Sequence, residues 1–86
     1  MANNNTQFFQ VVKEQEYDVR SIIKDVYEAL SEKGYNPVNQ IVGYIMSGDP
    51  TYITSHNNAR SNITKVERDE IIEVLFENYI ETQLKK

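Results

Sequence analysis

The stretch from Gly34 to Ile53, GYNPVNQIVGYIMSGDPTYI, constrains this chain more than any other, because its glycines and prolines dictate where helices stop and start. Gly34 supplies a left-handed C′ position at no steric cost, so a helix arriving from the N-terminal side ends there. Asn36-Pro37 reads as an N-cap followed by proline at the first helical position, where its missing N–H loses nothing. The helix so opened runs over 38–47 and carries Val38, Ile41, Val42, Ile45 and Met46. Gly48 ends it, and Asp49-Pro50 fixes the exit turn. Gly43 lies inside this helix at a cost of about 1 kcal/mol relative to alanine. A close approach of another backbone, at a helix crossing, is the expected compensation.

Two longer helices flank this segment. Over 17–33, Val19, Ile22, Ile23, Val26, Tyr27 and Leu30 recur at the spacing that builds one apolar stripe, with charged residues mostly opposite. Over 65–83, Ile71, Ile72, Leu75, Phe76, Tyr79 and Ile80 form a broad apolar face. Thr64-Lys65-Val66-Glu67 fits a capping box, with Thr64 as N-cap and Glu67 at N3. In between, Pro50 to Ile53 suits one helical turn capped by Asp49, His56-Asn57-Asn58 reads as loop, and 59–63 as a short helix entered through Ser55 or Asn57. The expectation is an all-α fold: three principal helices plus short helical turns over 16–86, preceded by a flexible N-terminal arm over 1–15. Phe8, Phe9, Val11 and Val12 in that arm suit docking, strand pairing or recognition.

The chain has 86 residues, enough for one domain. Such a chain buries only about 60–65% of its unfolded surface, so a monomer is marginal without disulfides, metals or oligomerisation. There are no cysteines and a single histidine, His56, which leaves oligomerisation; a homodimer is expected. No apolar run approaches the roughly 20 residues of a membrane span, and the N-terminus lacks a signal-peptide pattern. A cytoplasmic protein with no membrane insertion is the consistent reading. The net charge of −4 opposes bulk attraction to nucleic acid or anionic lipid.

The chemistry-bearing residues support no catalytic, cofactor or metal site. Gly43 and Gly48 are spaced like P-loop glycines, but Asp49 and Pro50 stand where that motif needs lysine and a hydroxyl. Glu70, Glu73, Glu77 and Glu81 lie beside or opposite the apolar face and lack the histidines of a carboxylate-bridged centre. His56 has no nucleophile placed by any spacing rule. Arg68 suits an ion pair with a carboxylate, whereas Arg60, in a loop, suits a bidentate fork on phosphate or a partner carboxylate. Tyr35, Tyr44 and Tyr52 cluster around the second helix and are candidates for a partner surface.

Glu32-Lys33-Gly34-Tyr35-Asn36-Pro37-Val38-Asn39-Gln40-Ile41-Val42-Gly43-Tyr44, Ser47-Gly48-Asp49-Pro50-Thr51-Tyr52-Ile53, Asn58-Ala59-Arg60 and Arg68-Asp69-Glu70-Ile71 together resemble the signature strings of the IreB family. That resemblance implies a small regulatory phosphoprotein, the substrate of a transmembrane Ser/Thr kinase bearing PASTA repeats and of its cognate phosphatase, in cell-envelope homeostasis and antibiotic tolerance. Members carry a phosphoacceptor threonine with an aromatic residue shortly after it. Thr6-Gln7-Phe8-Phe9 is similar, so the resemblance implies phosphorylation at Thr6. Beyond Phe9 the tail departs from the more acidic sequence common in the family. The alternative reading is a nucleic-acid-associated helical adaptor, opposed by the absence of Lys and Arg from the second helix.

Overall fold

A computed structural model describes residues 17–85, and all regular structure among them is helical. The expectations for residues 1–15, Thr6 included, lie outside the described residues. Helix α1 spans Val19–Glu32, α2 Pro37–Ser47, α3 Ala59–Ile63 and α4 Arg68–Tyr79. Tight 3₁₀ turns at Pro50–Tyr52 and His56–Asn58 link α2 to α3, and a wider π-type turn, Ile80–Leu84, continues α4.

The caps follow the residue types. Asp18 accepts from the Arg20 and Ser21 amides at 3.1 and 3.4 Å, opening α1. At its other end the Tyr35 amide donates to Leu30 and the Gly34 amide to Ser31, at 2.9 and 3.0 Å, with Gly34 at φ +83°. That is the Schellman arrangement, which satisfies carbonyls the helix leaves open. Asn36 Oδ1 accepts from the Asn39 amide at 3.1 Å with Pro37 at the first position of α2. Asp49 accepts from Thr51, opening the turn expected after Pro50.

The core forms where α1 meets everything else. Ile22, Val26, Ala29 and Leu30 are its buried face, and α2, α3 and α4 each pack against α1. Ile53 from the linker, Ile63 from α3 and Ile71 from α4 are wholly buried with Val26 and Leu30, and Tyr44 is the buried residue of α2.

Several expectations need correction. What approaches Gly43 is the Tyr52 ring and not a second backbone: a Cβ at Gly43 would run into that ring. Gln40 Nε2 donates to Tyr52 O at 2.8 Å and holds the turn in that position. The box opening the last helix is one turn later than expected. Thr64 is the C-cap of α3, its hydroxyl donates to Ser61 O at 2.8 Å and so is spent on the preceding helix, and Val66 is buried in the turn that follows. Glu67 is the N-cap, and the Glu70 carboxylate accepts from its amide at 2.9 Å. The last helix therefore begins at Arg68 and widens at Ile80, where the Lys85 amide reaches the Ile80 carbonyl. His56-Asn57-Asn58 is a tight turn in which Asn57 and Asn58 both take positive φ, 54° and 62°. Asparagine tolerates that region better than other non-glycine residues. Asn58, and neither Ser55 nor Asn57, is the N-cap position of α3. Among the described residues Arg68 has no carboxylate partner; its Nη1 donates to Ile45 O near the end of α2, at 2.9 Å. The guanidinium lies against Gly48, which also takes φ +75°, so two constraints favour glycine there.

Replacing Gly43 by alanine should lower stability by about 1 kcal/mol, because overpacking on the Tyr52 ring outweighs the gain in helix propensity. In a Tyr52→Ala background the same substitution should stabilise instead; urea unfolding of the four combinations reads the sign reversal. A second expectation concerns acid. The Thr51 hydroxyl and amide, 2.7 and 3.0 Å from Asp49 Oδ1, hold the Asp49 carboxyl below its ordinary value. A depressed folded-state value contributes stability above the ordinary carboxylate range, and that contribution is lost as pH falls through the depressed value. Thr51→Val should therefore flatten the acid limb of a thermal-melt series, with wild type and variant converging at the lowest pH.

Candidate functional site

Among the described residues two surface features stand out once the core is assigned. The larger is an open groove of ≈ 520 Å³ between α1, α2 and α4. Ile23 and Tyr27 form one wall, Val38, Ile41, Val42 and Ile45 the floor and second wall, and Val74 and Leu75 the third. Arg20, Lys24, Asn78 and the Tyr27 hydroxyl bring the polar side-chain groups to an otherwise apolar lining. Val38 is 69% exposed, Val42 50% and Met46, further along α2, 78%. Beside the groove, α4 leaves Ile72, Leu75, Phe76 and Tyr79 exposed, at the i, i+3, i+4, i+7 spacing of one helix face. Contiguous apolar exposure of this kind marks an interaction surface on a soluble protein.

The smaller feature is a recess of ≈ 380 Å³ lined by Pro50, Ser55, Asn58, Arg60, Ser61 and Thr64. Ala59 and Ile63 turn into the core, which places Arg60 at the boundary between core and solvent, half-buried. Its Nε donates to Ile53 O at 2.8 Å, so the guanidinium is anchored by the backbone of a wholly buried core residue. Ser61 Oγ donates to Asn58 O at 3.1 Å and Thr64 Oγ1 to Ser61 O at 2.8 Å. Ser55 and Asn58 occupy cap positions, yet neither side chain caps a helix. His56 Nε2 lies 2.8 Å from Glu32 Oε1, tying this turn to the end of α1.

The sequence-predicted residues are therefore dispersed. Tyr35 is 50% exposed beyond the α1 terminus and Tyr52 is 40% exposed over Gly43, whereas Tyr44 is 5% exposed and belongs to the core. The three tyrosines do not make one patch, because the α2 face carrying Tyr44 is the one turned inward. Arg60 sits in the recess, and Thr6 lies outside the described residues. Glu70, Glu73, Glu77 and Glu81 are all solvent-exposed. Among the described residues no group of His, Cys, Asp and Glu is arranged to hold a metal ion, and no helix is long and apolar enough to cross a membrane. The groove itself is the feature that sequence reasoning missed. Its signal was present: Val38, Ile41, Val42, Ile45 and Met46 cover a wider arc than one short helix can bury alongside Tyr44.

The description "IreB regulatory phosphoprotein" applies to the family whose pattern matches residues 4–81. The chain is 68% identical over 83 residues to a UPF0297 protein of Lachnoclostridium phytofermentans, covering 96% of this chain and 94% of that protein. It is 59% identical to a UPF0297 protein of Acetivibrio thermocellus over 81 residues, 94% of this chain and 90% of the relative. A third, from Ruminiclostridium cellulolyticum, is 52% identical over 81 residues, 94% of this chain and 92% of the relative. The long strings read from Glu32 to Ile71 and these full-length matches agree, and the chain belongs to the IreB regulatory phosphoprotein family.

Proposed function

We propose that this protein is a phosphorylation-controlled regulator, the cytoplasmic substrate of a transmembrane Ser/Thr kinase with PASTA repeats, acting in cell-envelope homeostasis and antibiotic tolerance. The observation that carries the reading is the family match, which describes a regulatory phosphoprotein and begins at residue 4, ahead of Thr6. Thr6 is the phosphoacceptor in this reading, by its similarity to the family's threonine–aromatic pattern. A cognate phosphatase returns the chain to its unmodified state. The role is one of binding and signalling, without catalysis. A nucleic-acid adaptor is the weaker reading, because the exposed face of α2 presents Val38, Val42 and Met46 where a recognition helix needs basic side chains.

In this reading the protein works as a homodimer, with a second copy covering the groove and the adjoining α4 stripe. Val38, Val42, Leu75 and Phe76 are each more than two-fifths exposed, an arrangement favouring association over a lone monomer.

Intact-mass analysis after incubation with the kinase domain and ATP should find one added phosphate on the wild type and none on Thr6→Ala. A demonstrably active kinase that leaves the wild type unmodified would overturn the substrate reading. For the dimer, sedimentation velocity of Val42→Asp/Phe76→Asp should give a monomer with unchanged helicity, since both positions are at least half-exposed. A wild type already monomeric at tens of micromolar would remove the second copy from the account.

A further inference from the structure

If Thr6 is modified, a doubly charged group must find a receiver or remain in solvent. Most cations among the described residues have other engagements. Lys24 pairs with Glu28 at 2.8 Å and Lys85 with Glu81 at 3.2 Å. Arg68 donates to Ile45 O beneath Gly48, and the Lys65 ammonium lies 5.4 Å from the centre of the Tyr17 ring. Arg20 and Lys33 stand exposed on the surface of the first helix and just beyond it, Arg20 beside an apolar groove.

Arg60 differs in three respects. Its Nε bond to Ile53 O holds the guanidinium in place, so little rotamer freedom remains to be lost on binding. It lines a recess and is half-buried, where charge-assisted hydrogen bonds are less screened than on an open surface. Ser55 and Asn58 line the same recess with side chains free of any capping bond, one bearing a hydroxyl donor and the other an amide donor. Asp49 is close enough for Arg60 to help hold its carboxyl ionised, although the Thr51 hydroxyl and amide do more, so the guanidinium is shared with one carboxylate that a phosphate must compete with.

We infer that the Arg60 recess is a phosphothreonine-binding site, and that its ligand is the modified Thr6 of the chain's own N-terminal arm. The inference rests on the phosphoprotein reading given above. Guanidinium and phosphate oxygens pair as a fork, with Ser55 Oγ and the Asn58 amide donating to the remaining oxygen positions. Reach is no obstacle. Thr6 precedes Tyr17 by 11 residues (17 − 6), up to about 36 Å when extended. The root of the arm lies beside α3, since the Tyr17 ring sits under Lys65, two residues beyond the helix that carries Arg60. Phosphorylation then fastens the arm across the α2–α3 linker, changing which surface the protein offers to partners.

The test uses a synthetic peptide of residues 1–16 carrying phosphothreonine at position 6, titrated into the ¹⁵N-labelled full chain. Shifts should concentrate at Ser55, Asn58, Arg60 and Ser61, and the unphosphorylated peptide should produce none of them. Arg60→Gln, which removes the charge while leaving an N–H donor, should weaken binding at least tenfold. Arg60→Lys, which keeps the charge and loses the fork, should fall between. Thermal melts establish that each variant is folded, and the wild-type titration decides the matter if one is not. Absence of saturable shifts at the recess, shifts mapping instead to Ile23 and Leu75, or equal affinity in folded Arg60→Gln would each overturn the inference. Because the peptide is made already phosphorylated, the outcome is independent of whether the kinase modifies Thr6, so the two readings fail separately.

Discussion

The structure depends on one aliphatic contact set: Val26 and Leu30 of α1 closing on Ile53, Ile63 and Ile71, each from a different later segment. Removing such side chains from water contributes roughly 1.5–3 kcal/mol apiece. This is large against the marginal stability expected of a chain this size. The set also determines geometry. Ile53 belongs to an irregular linker, and drawing it inward fixes the turns on either side. Gln40 and Arg60 then bond to the carbonyls of Tyr52 and Ile53, satisfying backbone groups that no regular helix serves there. The Arg60 recess is thus a by-product of core packing: the guanidinium points where it does because Ile53 is buried.

The same core explains the groove. Its buried set draws its chief aliphatic members from α1, the linker, α3 and α4, while α2 contributes Tyr44 alone. Ile41 and Ile45 pack partly against that core, whereas Val38 and Val42 stay exposed in the lining of the groove, facing Ile23, Tyr27 and Leu75. A small domain has too much surface for its interior, and here that surplus is gathered on one side instead of being scattered. Gathered apolar surface is what an interface requires. The acidic side chains of α4 stay out of the groove's lining, so the charges that association there would meet are the cations Arg20 and Lys24 on its α1 side.

What was legible in the sequence was whatever depends on neighbours along the chain. Asn36-Pro37, Gly34, Gly48 and Asp49 act on their own backbone within a few residues, and each caps or ends an element where its chemistry predicts. The errors arise where a distant segment decides. Gly43 signalled that something approaches closely, but only the folded linker shows that it is the Tyr52 ring. Thr64 has the right chemistry for an N-cap, yet its hydroxyl bonds back to Ser61 O and it closes the preceding helix as a C-cap. Arg68 was matched to carboxylates because charge complementarity is visible in a sequence, whereas the carbonyl that Gly48 leaves accessible is not. Arg60 was recognisable as a fork in search of an acceptor; the recess around it, with uncommitted Ser55 and Asn58, was not.

Electrostatics limit how a modified arm can act on a chain of net charge −4. A phosphate adds about −1.5 to −2 near neutral pH, so the field of the whole molecule opposes its return. That opposition is weak, because salt screens exposed charges beyond about 8 Å at physiological ionic strength. Neither long-range repulsion nor attraction can then position the arm, and the outcome depends on a contact-distance receiver. A mobile surface lysine offers charge without geometry and must lose side-chain freedom on pairing. A guanidinium already held by a buried residue's carbonyl has lost much of that freedom during folding. On the proposed reading the packing of Ile53 would bear on phosphate binding as well as on stability, because loosening it would release the carbonyl that holds Arg60.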